Sequence, residues 1–144
     1  MTPYNKVFDS FKRKIEDKDL PTFTKEEQVE MLTGWLDTAI GYIELDQLKM
    51  VNDLSDRDNE SQTFNADLKN FEIEVIAMYM PAAWYEPRIN SLEHTLLFVG
   101  ASGEKWTDQN AHMKTLKTIR DDWKIEARKY FRNYNTKVND YLGE

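Results

Sequence analysis

The sequence predicts an all-α protein, a compact bundle of about four to five helices that ends in a long C-terminal helix. Apolar residues recur at three- and four-residue steps along most of the chain, which is the spacing of one helix face. Only 5 Gly and 4 Pro interrupt 144 residues, so turns are few and helices long. The length suits one hydrophobic core, so residues 1–144 are expected to form a single domain.

At the N-terminus, Tyr4, Val7, Phe8, Phe11 and Ile15 hold the helical step while Lys12, Arg13, Lys14 and Glu16 take the other side. Asp19, Leu20 and Pro21 break this short amphipathic helix. Thr24 followed by Glu27 is a capping box, in which each side chain satisfies the other residue's backbone donor at a helix start. The second helix carries Val29, Leu32, Trp35, Leu36, Ala39, Ile40 and Ile43, despite Gly34 and Gly41. Its spacing continues weakly through Leu45, Leu48 and Val51. Asp53, Asp56, Asp58 and Glu60 then crowd a polar run over about 53–63, which is expected to be an exposed acidic loop.

Residues 64–90, FNADLKNFEIEVIAMYMPAAWYEPRIN, are the most distinctive stretch. Phe71, Ile73, Val75, Ala77 and Tyr79 alternate as a strand would, but Ile76 and Met78 spoil the polar side of such a strand. Ile73, Ile76, Ala77, Met80 and Trp84 fall on one helical face and Asn70 can cap its start, so the reading is helix. Phe64, Leu68, Ile73, Ile76, Ala77, Met80 and Trp84 are its expected core residues. Pro81 should bend this helix, at roughly 3 kcal/mol if uncompensated. Pro87 is expected in the first turn of a new helix carrying Ile89, Leu92, Leu96, Leu97 and Val99, which Gly100-Ala101-Ser102-Gly103 ends.

Thr107 or Asp108 can cap the last helix, whose apolar series is Met113, Leu116, Ile119, Trp123, Ala127, Tyr130, Phe131, Tyr134, Val138 and Tyr141. A stripe that long on a small domain calls for a second partner at its distal end. Residues 130–144 are therefore the expected docking end, with Tyr130, Phe131, Tyr134, Val138 and Tyr141 as the candidate subunit or protein interface.

Chemistry is hard to find. The chain has no Cys, so disulfides, thiolate metal sites and cysteine nucleophiles are excluded together. His94 and His112 sit in different helices, outside any His-Glu-x-x-His pattern, and an Asp108–His112 pair reads as a surface ion pair. The 100–107 run lacks the Gly-Lys-Ser/Thr triplet of a phosphate loop. Glu72 and Glu74 lie two apart, point to different sides of a helix and are expected to be solvated. The acidic run lacks the ordered calcium-loop pattern, and Trp84, Trp106 and Trp123 read as packing residues. No catalytic, metal-binding or cofactor-binding residue is nominated, and the expectation is that the chain is not an enzyme. A formal charge of −7 opposes a groove that grips phosphates. No apolar run reaches the roughly 20 residues of a membrane span, and MTPYNKVFDSFKRKIEDKD carries no apolar signal core, so a soluble, unprocessed chain is expected.

The order FNADL, E-x-x-x-I-A-x-x-M, W-Y-E-P-R-I-N, a loop, T-D-Q-N-A-H-M-K-T-L and a Tyr-rich helix resembles head-to-tail connector (neck or adaptor) proteins of tailed bacteriophages. The matching residues are Phe64, Asn65, Leu68, Glu72, Ile76, Ala77, Met80, Trp84, Pro87, Ile89, Asn90, His112, Leu116 and Tyr134, across roughly the second half of the chain. Pro81 inside the matched helix and Gly-Glu-Lys-Trp before the last one depart from the pattern. The resemblance implies a ring of copies of this chain, commonly twelve, assembled in the host cytoplasm and lodged in the virion neck between capsid and tail. Its partners would be the portal protein and tail or further neck proteins, with double-stranded DNA passing through without sequence-specific binding, and no membrane.

In that setting Asp53, Asp56, Asp58 and Glu60 are candidates for a lumen-facing or neighbour-facing loop, because a channel that must release DNA benefits from weak phosphate attraction. A different class remains open: a monomeric acidic helical regulator, or a DNA-mimic inhibitor, that binds a basic protein.

Overall fold

The computed structural model describes residues 1–99 and 104–141, and side chains within 1–97 and 106–134. The order of elements is β1 (Thr2–Pro3), α1 (Tyr4–Lys14), a 3-10 turn (Leu20–Thr22), α2 (Lys25–Leu45), β2 (Arg57–Asp58), β3 (Thr63–Phe64), α3 (Asn70–Val99) and α4 (Glu104–Tyr141). The architecture is the expected helical bundle with a long last helix, joined by one small sheet.

Each early helix follows from its local sequence. In α1, Tyr4, Val7, Phe8 and Phe11 are buried, and Lys12, Arg13 and Lys14 in the last turn complement the helix dipole. The capping box of α2 forms as read, with the Glu27 amide donating to Thr24 Oγ1 and the Thr24 amide to Glu27 Oε1, both at 3.2 Å. Leu32, Leu36, Ala39, Ile40 and Ile43 are buried, Trp35 is half-buried against the core, and Val29 is exposed.

α2 stops at Leu45 although the apolar spacing runs on. Gln47 adopts a left-handed conformation (φ 57°), the Leu48 amide donates to the Ile43 carbonyl at 3.2 Å, and the Gln47 amide to Glu44 at 3.1 Å. This is the reversed double bond of a Schellman ending, and half-buried Leu48 supplies its apolar contact.

Three expectations about boundaries are corrected, the third at the start of α4. The acidic run is not wholly loop: Arg57 pairs with Phe64 and Asp58 with Thr63, while Thr2 pairs with Phe64 and Pro3 with Thr63, giving a three-stranded antiparallel sheet in the order β1-β3-β2. Thr2 locks the join, since its hydroxyl donates to the Ala66 carbonyl at 3.0 Å and accepts from the Leu68 amide at 2.8 Å. Nor does Pro87 open a new helix, for α3 runs unbroken through both Pro81 and Pro87. Each Pro removes one helical donor. The Arg88 guanidinium donates to the Trp84 carbonyl at 2.7 Å, one residue past the Ala83 carbonyl that loses its helical donor at Pro87, and Pro81 is fully buried in the core.

α3 is the centre of the bundle, with α1, α2 and α4 all packed against it. Phe71, Val75, Ile76, Ala77, Tyr79, Met80, Ala82 and Ala83 are buried and take up most of its circumference, leaving half-buried Glu74 and Met78 on the remaining side, which explains the imperfect periodicity of its sequence. Of the expected core residues, Phe64, Ile76, Ala77 and Met80 are buried, and Leu68, Ile73 and Trp84 are half-buried against the core. α4 begins at Glu104, so Thr107 and Asp108 lie inside its first turns instead of capping it. Its 38 residues span about 57 Å at 1.5 Å each. The expected turn at residues 100–103 lies outside the described residues.

Candidate functional site

α3 and α4 form an antiparallel hairpin with two unlike halves. In the lower half, Ala127 and Phe131 of α4 are buried with the first turns of α3. The Phe71 ring stacks on Tyr134 with centroids 4.0 Å apart and meets Phe131 at 6.2 Å. Phe131 and Tyr134, nominated for docking, are thus engaged inside the chain. Tyr130 beside them is exposed, and the side chains of Val138 and Tyr141 lie outside the described residues.

The upper half differs. Between Ile89 in α3 and Ala127 in α4, no described residue is fully buried. Leu92, Leu96, Met113, Leu116, Ile119 and Trp123 are half-buried, and Leu97 is 82% exposed. Ion pairs hold this arm together, Arg120 to Glu86 at 2.8 Å and Lys117 to Glu93 at 2.9 Å. Two helices alone bury one seam between them, so the arm's remaining apolar surface has no third layer from the described chain.

An open groove of about 720 Å³ runs along the arm's base, between Trp84, Tyr85, Arg88 and Leu92 of α3 and His112 and Leu116 of α4. Its wall is preorganised from behind. The Trp84 indole donates to Asp17 Oδ2 at 2.9 Å, and the Arg88 guanidinium lies 3.3 Å from the centre of the Trp84 ring and 3.6 Å from Asp17. Burial alone raises the Asp17 carboxyl, but the Trp84 bond, the Asp19 and Leu20 amides and the Arg88 charge together outweigh it and hold it below the ordinary aspartate value.

A similar tie fastens α2 to the lower hairpin. Tyr79 donates its hydroxyl to Asp46, and Arg128 pairs with the same carboxylate at 3.0 Å. Burial raises the Tyr79 phenol, and Asp46 raises it further. Burial works against the Asp46 carboxylate too, but the bonds from Tyr79 and Arg128, with the charges of Arg128 and Lys124, bring it below the ordinary value.

The acidic residues 53–60 are all exposed, yet three of them shape their own loop. Asp53 accepts from the Ser55 amide at 3.0 Å and hydroxyl at 2.6 Å. Asp56 accepts from Asn65 at 2.6 Å, and Asp58 from the Glu60 amide at 2.9 Å and the Ser61 hydroxyl at 3.1 Å. The Ser55 bonds set the Asp53 carboxyl below its ordinary value. These are turn-forming contacts of short polar side chains. Among the described residues, no group of three or more His, Cys, Asp or Glu is arranged to hold a metal.

Glu72 and Glu74 overturn the expectation that both are solvated. Glu74 is half-buried and pairs with Lys14 at 2.6 Å and the Ser10 hydroxyl at 3.0 Å. Glu72 is fully buried and accepts three bonds: the Asn52 amide at 2.9 Å, the Asn52 side chain at 2.7 Å and the Lys69 amide at 3.0 Å. It occupies the third position of α3, where a carboxylate reaches back to the capping residue, and so takes the role foreseen for Asn70. That position was the available signal; the approach of Asn52 from 20 residues away was not.

Comparison with family models, with curated proteins and with solved structures returned no match. No described helix is long and apolar enough to cross a membrane.

Proposed function

We propose that this chain is a structural protein of a tailed-phage virion, a neck subunit that forms a ring between portal and tail and lets DNA pass. One observation carries the reading: the ordered run from FNADL through W-Y-E-P-R-I-N to the Tyr-rich last helix, which resembles head-to-tail connectors. Two features are compatible with it. The acidic balance of −7 suits a channel from which DNA must leave quickly, and the half-buried arm suits a chain that finishes its packing against neighbours.

The ring consists of copies of this chain, commonly twelve in the family, and its partners are the portal, tail or further neck proteins, and transient double-stranded DNA. Its place is the virion neck. No catalytic step is assigned. Native mass spectrometry or negative-stain imaging of the purified chain, alone and with a portal, tests the reading. A symmetric oligomer in either sample is the expected result; a monomer indifferent to the portal would overturn it.

The exposed carboxylates Asp53, Asp56, Asp58 and Glu60 favour a second reading, an acidic regulator or DNA mimic that binds a basic protein. Replacing the three Asp by Asn and Glu60 by Gln keeps much of the turn bonding and removes the charge. Under this reading partner binding weakens steeply and loses its salt sensitivity; unchanged binding would remove it.

A further inference from the structure

The groove at the base of the arm has an unusual lining for so acidic a chain. Aspartate and glutamate make up 26 of 144 residues, yet the groove is walled by Trp84, Tyr85, Leu92 and Leu116 with Arg88 and His112, and no carboxylate lines it among the described residues. Its chemistry suits an apolar segment flanked by acids. Such a stripe lies on α4, toward the body from His112 and Leu116: half-buried Ile119 and Trp123 line a shallow hollow with the exposed carboxylates of Asp122 and Glu126 beside them.

We infer that the groove of one copy receives the Ile119–Trp123 stripe of a second copy, with Asp122 and Glu126 set toward Arg88 and His112. The inference deepens the ring reading and rests on it. Copies carrying −7 each repel one another, so a contact between them needs a patch free of like charge, and the groove is such a patch. Groove and stripe are non-identical surfaces, so the contact is heterologous: each copy gives a stripe to one neighbour and a groove to the other, which closes a ring when the rotation permits. It also supplies the arm with its missing third layer.

The absence of Cys makes the contact testable by cross-linking in the full chain. Ser91 lines the groove and Asp122 the stripe, and both are exposed, so Ser91→Cys and Asp122→Cys leave the fold in place, which a wild-type circular dichroism spectrum checks. On mild oxidation the double variant is expected to give a ladder of covalent multimers on a denaturing gel. A control pairing Ser91→Cys with Glu30→Cys, exposed on α2, should give at most traces. A ladder equal to the control, or products that stop at a dimer, would overturn the inference.

Native mass spectrometry of the unmodified chain separates the two failures. A ring that does not cross-link through this pair removes the groove-to-stripe contact and leaves the ring reading standing. A monomer with and without portal removes both.

Discussion

The body and the arm of this protein share two helices, α3 and α4, and differ in what covers them. In the body, α1, α2 and the end of α4 pack against the first half of α3, and most of its residues are buried. In the arm, the same helices continue with apolar residues of similar kind, but each stays half-buried or exposed. Apolar content alone therefore does not mark the core; the number of layers around a helix does. The body is closed by its own chain, and the described apolar residues of the arm keep an open face.

Truncations should break or sharpen this contrast most. Phe131→Ala removes a buried ring and is expected to cost about 3–5 kcal/mol in urea unfolding. Leu116→Ala in the arm should cost under about 1 kcal/mol in the unassembled chain, because a half-buried side chain loses little contact. Equal losses would erase the distinction.

Next comes Glu72→Ala, which leaves the Asn52 and Lys69 donors without their acceptor inside the body. The expected loss is about 2–3 kcal/mol, with faster amide exchange across residues 46–69. A change under half a kcal/mol would show that water replaces the carboxylate at no cost.

These two sites also mark what the sequence made legible. The bundle, the Thr24–Glu27 box, α1 and most core positions rest on local spacing and caps, and those survive folding. Four features did not read through. The small sheet joins Thr2 to Phe64, two-residue strands with no pattern of their own. The end of α2 uses Gln47 in a conformation that usually calls for Gly or Asn. Helix α3 continues through Pro87 against local propensity, its neighbouring turns tied to α4 by the Glu86–Arg120 and Glu93–Lys117 ion pairs. Glu72 looked solvated because its partner Asn52 is distant in sequence. Of the nominated surfaces, the acidic residues are exposed as expected, whereas Phe131 and Tyr134 face the core. The arm's open side was hidden because its leucines and Trp123 have the same spacing as buried ones.

Acid should weaken the body through Asp17 and Asp46. Both carboxyls lie below the ordinary aspartate value when folded, so the stability they give is complete above that value, about 3.9, and is lost as pH falls through the folded values. Melting temperature should change little between pH 7 and 5 on their account and drop below about pH 4. Asp46→Asn should flatten part of that drop; an unchanged acid limb would exclude the tie to Tyr79 and Arg128 as a source of stability.

The smallest effect is expected at Gln47. Gln47→Gly relieves the left-handed backbone at an exposed position and should stabilise the body by about 0.5–1 kcal/mol, read from the denaturation midpoint. Destabilisation instead would mean that the unfolded chain gains more freedom than the folded turn loses strain.

Hydrogen exchange, followed by mass spectrometry as the chain is brought from dilute to assembled, compares body and arm most directly. Peptides covering 86–97 and 106–122 should exchange quickly in the dilute chain and become protected on assembly, while those covering 4–14 and 71–83 stay protected throughout. An arm already as protected as the body in the dilute chain, or one unchanged by assembly, would contradict the division between a finished body and an arm completed by its neighbour.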